Sequence, residues 1–108
     1  MSTRQRMVSI ELGFPPPELE RRIVMHEAGV DETLADDLVR LGQAIRRVKD
    51  AGLREVASTR TLVAAAALMG EGLSFREAAI AAIAGPLTDD VELRDGLVAM
   101  IDSYASDA

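Results

Sequence analysis

The sequence contains no cysteine and no tryptophan, and its aromatic side chains are Phe14, Phe75 and Tyr104. Without cysteine there is no disulfide framework, no thiolate metal site and no cysteine nucleophile, and a reducing, cytoplasmic setting is expected. Long apolar runs are missing too. The longest, Leu62–Met69, is too short to span a bilayer, and the N-terminus has no hydrophobic signal core. Positive charge is scarce: Lys and Arg total 12 against 18 acids, a formal net charge of −6. Nucleic acid as a partner requires cations clustered over a broad face, so neither nucleic acid nor a membrane is expected. There is no GxxxxGK[ST] and no GxGxxG, hence no evident means for this chain alone to cradle a nucleotide. His26 is the single histidine, and with no second ligand beside it no metal site is expected.

What is present is helix-forming. Ala, Leu, Glu and Arg dominate the 108 residues, a length that closes one core. Charge is uneven along the chain: Arg4 and Arg6 open it without an acid, whereas Asp89, Asp90, Glu92, Asp95, Asp102 and Asp107 face Arg94 at the other end. Such ends suit contact across a subunit interface, although solvation alone is the better reading of charge runs of this kind.

"MVSIELGF" alternates, with Val8, Ile10, Leu12 and Phe14 on one side, and stops at Pro15, Pro16 and Pro17. That pattern predicts one N-terminal β-strand. A single strand leaves its backbone groups unsatisfied, so it calls for a second copy or for a sheet elsewhere in a longer protein, and homo-oligomerisation through this edge is expected.

The remainder predicts a compact bundle of four to five helices. The first runs from about Pro16 to Glu27, with Leu19, Ile23 and Val24 facing inward and a stop at Gly29. The second starts near Asp31, carries Leu34, Leu38, Leu41, Ile45 and Val48 at steps of three and four, and ends at Gly52. The third starts at Ser58 and is rich in alanine, which makes it thin and central. "SFRE", Ser74 to Glu77, is a capping box opening the fourth helix, which Gly85 and Pro86 are expected to break. "TDDVE" opens the fifth, with Asp89 as a cap and Leu93, Leu97, Met100, Ile101 and Tyr104 inward.

Little here suits catalysis. Asp36 and Asp37 read as a solvated face and Asp89 and Asp90 as capping groups, because adjacent helical residues point about 100° apart and do not share a site. Ser58, Ser74 and Thr88 stand at helix starts with no base beside them, so they are caps and not nucleophiles.

Arg60 is the exception. With Ser58 as cap, Thr59, Arg60 and Thr61 occupy the first turn of the third helix, where the dipole already places positive charge and favours acids. Free amides, hydroxyls and a guanidinium then converge on one small volume suited to phosphate. A plain surface arginine is the alternative.

"EVASTRTLVAAAALMGEGLSFREAAIAAIAGPLTDDVEL", with "STRQRMVSIELGFPPPELERRIVMHEAGVDE" before it, resembles the C-terminal part of MoxR-type AAA+ ATPases of the CbbQ/NirQ/NorQ branch, over essentially the whole chain. The resemblance implies a helical AAA+ lid domain at 16–108, preceded at 1–15 by the last strand of a missing core. It implies that Arg60 is a sensor-2-like arginine which, with Ser58 and Thr59, meets the phosphates of ATP. It also implies that Arg6 is an arginine finger directed at a neighbouring subunit, with Arg4 an alternative for that role. Met7 departs from the aromatic expected beside the finger. The phosphate loop and magnesium-binding acid of such ATPases are absent from this sequence. The chain is thus expected to be a non-catalytic fragment needing no cofactor alone, whose longer relative uses ATP and Mg. The implied partners are the AAA+ core, neighbouring subunits and a client metalloenzyme such as Rubisco or nitric oxide reductase. A stand-alone helical interaction or adaptor module is the alternative.

Overall fold

The computed structural model describes residues 14–47 and 57–105. These form helices α1 (Pro17–Ala28), α2 (Glu32–Arg46), α3 (Thr59–Gly70), α4 (Phe75–Ala79), a π-helical segment (Ile80–Ala84), α5 (Gly85–Leu87) and α6 (Val91–Tyr104). Among the described residues there is no strand, which corrects the expected strand-plus-bundle fold to an all-helical one. Residues 7–13 of the alternating segment lie outside the described residues. Phe14, its last apolar position, sits in a bend with its ring over the Arg46 guanidinium, 3.8 Å from carbon to ring centroid. Alternation offers a face, but a strand needs a partner strand, and the described residues supply none. The expected pairing of two copies through that edge likewise falls on residues outside the described ones.

Helices α2, α3, α4 and α6 each begin where a side chain accepts from a free amide, whereas α1 opens on prolines with no side-chain cap. Asp31 accepts from Leu34 N–H at 2.9 Å at the start of α2, and Ser58 from Thr61 N–H at 3.3 Å at the start of α3. The predicted capping box is complete: Ser74 accepts from Glu77 N–H at 3.1 Å, and the Glu77 side chain accepts from Ser74 N–H at 3.0 Å. At α6 the cap is Asp90, accepting from Leu93 N–H at 3.1 Å, and not Asp89 as expected. Thr88 accepts from Asp90 N–H at 3.0 Å and so sets the chain one residue later. Gly29 closes α1 in the left-handed region (φ 70°), where a side chain would be strained.

Pro86 does not stop the fourth helix. The π-helical segment absorbs it: Gly85 N–H donates five residues back, to Ile80 O, and the chain makes one further turn to Leu87. A Cβ on Gly85 would lie 3.2 Å from that carbonyl, so the absence of a side chain permits the wide turn. That extra turn delivers Leu87 to the core.

The core unites Leu38, Leu41 and Ile45 of α2, Leu62 of α3, Ile83 of the π-helical segment and Ile101 of α6, all at or near zero exposure. Each such side chain contributes about 1.5–3 kcal/mol relative to an exposed one. α3 is central as expected, packing on α1, α2, α4 and the π-helical segment. A Cβ on Gly42 would stand 3.1 Å from the Leu62 methyls, so glycine lets α2 and α3 approach closely. Leu19 is a correction: it is 45% exposed, and Glu20 takes the inward position one turn before Val24. No described helix is long and apolar enough to cross a membrane.

Candidate functional site

Three chain ends meet at one end of the bundle: the first turn of α1, the last turn of α2 and the first turn of α3. Glu20, Arg46 and Thr59 join them. Arg46 donates through Nη1 to Glu20 Oε1 at 2.9 Å and through Nη2 to Oε2 at 2.7 Å, while its Nε donates to the Ala57 carbonyl at 2.7 Å. Thr59 Oγ1 donates to Glu20 Oε2 at 2.6 Å. Glu20 is fully buried and the Arg46 side chain is 11% exposed. Bidentate geometry with each carboxylate oxygen engaged is what makes an ion pair tolerable away from water.

The pair fixes the entrance to α3. Ala57, fully buried, is held through its carbonyl, and Thr59 through its hydroxyl. Ser58 between them caps the helix, and Thr61 Oγ1 donates back to the Ser58 carbonyl at 2.7 Å. Arg60 follows on an anchored turn, yet its side chain is exposed and makes no hydrogen bond or ion pair among the described residues. The structure therefore brings Ser58, Thr59 and Arg60 together as their adjacency requires, but gives them different tasks. Ser58 spends its oxygen on the cap, Thr59 turns its hydroxyl to Glu20, and Arg60 faces solvent.

Arg4 and Arg6 lie outside the described residues. Among the described residues no group of three or more His, Cys, Asp or Glu is placed to hold a metal, and His26 is exposed in the last turn of α1.

The reading of the sequence missed Glu20 and Arg46. A signal existed in both cases: Glu20 precedes Val24 by four, and Arg46 extends the buried line Val39, Gly42 by another turn. An acid and a base each standing on an inward line are candidates for each other. Asp37 is a further correction. Expected on a solvated face, it is 8% exposed, whereas Asp36 beside it faces Arg21 at 3.8 Å and Arg40 at 3.6 Å.

Residues 20–104 match the family described as CbbQ/NirQ/NorQ C-terminal. The chain is 46% identical over 105 residues to the denitrification regulatory protein NirQ of Pseudomonas aeruginosa, an alignment covering 97% of this chain and 40% of that protein. It is 46% identical over 96 residues to protein NorQ of Paracoccus denitrificans and 42% identical over 96 to protein CbbQ of Hydrogenophilus thermoluteolus. Each of these alignments covers 89% of this chain and 36% of the relative. The chain belongs to the CbbQ/NirQ/NorQ C-terminal family. It spans 40% or less of the length of these relatives.

Proposed function

We propose that residues 16–108 are the lid of an AAA+ activator and that Arg60 is the group through which the lid meets the phosphates of ATP held by the rest of a longer protein. The observation that carries this reading is an exposed guanidinium, unpaired among the described residues, on the first turn of a helix whose entrance is anchored by a buried ion pair. An oxyanion is the ligand such a turn fits, since amides, dipole and guanidinium all favour negative charge there. ATP with Mg supplies the phosphoryl group, and the part of this chain is to hold one fixed cation against developing charge. Ser58 and Thr59 position that cation, the first by capping α3 and the second by tying it to Glu20.

In the same reading Arg6 is the arginine that serves a neighbouring subunit, with Arg4 the other candidate, and the chain alone does not turn over ATP. The family relationship extends the proposal to the outcome of hydrolysis, the remodelling of a client metalloenzyme in denitrification or carbon fixation. The working setting is a cytoplasmic ring of subunits.

The test is Arg60→Ala in the complete ATPase. Turnover of ATP is expected to fall at least about tenfold, while the unfolding free energy of the domain moves by no more than about 0.5 kcal/mol, as for an exposed side chain without packing duties. A variant that keeps wild-type turnover, or that loses stability in step with activity, returns Arg60 to the surface.

A further inference from the structure

At the end of α3 away from Thr59, helices α2, α3 and α4 enclose an open cavity of about 300 Å³ whose lining includes Asp31, Leu34, Asp37, Met69, Ser74 and Phe75. Two of its polar groups are occupied: the Asp31 carboxylate accepts from Leu34 N–H, and the Ser74 hydroxyl accepts from Glu77 N–H. Asp37 is different. It is 8% exposed, and among the described residues it has no hydrogen bond or ion pair. Its oxygens are not among the atoms sealed from solvent, so the cavity is where the carboxylate meets water and the direction from which a partner can come.

The surroundings narrow the ligand. A volume near 300 Å³ is at the small end of the range of about 300–1,000 Å³ typical of small-molecule sites, and suits a single long side chain. An anion is disfavoured because Asp37 carries a full charge, whereas the helix N-termini of α2 and α4 carry about half a charge each and are already capped. A hard metal ion would require several oxygen ligands, and no such group is present among the described residues. An ammonium is strongly hydrated and gains little from apolar walls. A guanidinium is planar and weakly hydrated, pairs with a carboxylate in bidentate fashion, and packs on aromatic rings and thioethers.

We propose that this cavity is a docking site for an arginine side chain of another polypeptide, with Asp37 as its counter-ion, the Phe75 and Met69 side chains against the guanidinium, and Leu34 against its stem. The site is remote from Arg60 and does not rest on the phosphate reading.

The experiment titrates N-acetyl-argininamide, and separately its neutral isostere N-acetyl-citrullinamide, into the 108-residue chain, with amide and methyl NMR shifts as the readout. Saturable shifts at Leu34, Asp37, Met69 and Phe75 are expected from the arginine compound, at least tenfold weaker from the citrulline one. Asp37→Asn, which preserves shape, is expected to reduce the arginine response to the citrulline level while the thermal midpoint stays level or rises. Equal responses to the two compounds, or an arginine response that survives Asp37→Asn, overturn the proposal.

Discussion

Glu20 and Asp37 are both buried carboxylates, but they stand at opposite ends of the bundle and in opposite states. Glu20 is engaged at both oxygens, by the Arg46 fork and the Thr59 hydroxyl, and ties α1, α2 and α3 together. Among the described residues Asp37 has no partner, and it borders an open cavity. Burial is therefore no guide to role until partners are counted. An acid engaged by the chain at both oxygens holds structure in place, and one left to the water of an open cavity is a position at which binding is to be sought.

The sharpest way to break this comparison is to remove one partner at the satisfied end. Arg46→Met leaves the Glu20 carboxylate buried and uncompensated, and the domain is expected to lose about 3–5 kcal/mol in urea unfolding. Adding Glu20→Met in the same molecule is expected to restore most of that loss, since the penalty lies in the stranded charge and not in the missing attraction. A double variant as unstable as the single one would show that packing, and not charge, holds this end.

The opposite sign is expected at the other end. Asp37→Leu is expected to raise the urea midpoint, since the carboxylate is mostly buried, has no partner among the described residues and meets water only through the cavity. Loss of stability would mean that Asp37 is satisfied in solution, and the contrast with Glu20 would vanish.

Thr59→Val has the smallest effect of the three. It removes one hydrogen bond and leaves the Arg46 fork intact, so a loss of about 1 kcal/mol is expected. In the longer ATPase proposed above the same change would sharpen the comparison further. If Thr59 positions Arg60, turnover falls by more than the stability loss explains; if it serves the bundle alone, the two move together.

Much of the helical frame was legible. The caps at Asp31, Ser58 and Ser74 follow from side chains that accept from nearby amides, a local matter. The stripe Leu38, Leu41, Ile45 follows from helical period, also local. The errors were of another kind. Phe14 was assigned to a strand because alternation is visible in sequence and the missing partner strand is not. Pro86 was read as a terminator because the wide turn that accommodates it depends on Gly85 lacking a Cβ against the Ile80 carbonyl. Asp89 lost the cap to Asp90 because the Thr88 hydroxyl engages the Asp90 amide.

For the site the division is similar. Ser58 as cap and Arg60 on the first turn were readable from residues next to each other. The anchoring pair was not, because Glu20 and Arg46 are 26 residues apart and either alone looks like an ordinary surface charge.

Residue order alone thus decided where the helices start, which faces are apolar and that a cation stands at the head of α3, because capping and periodicity act over a single turn. Tertiary structure decided which charges went inside and which of them found partners. Those outcomes depend on which helix ends are brought together, and on whether a neighbouring element can replace the water that burial removes.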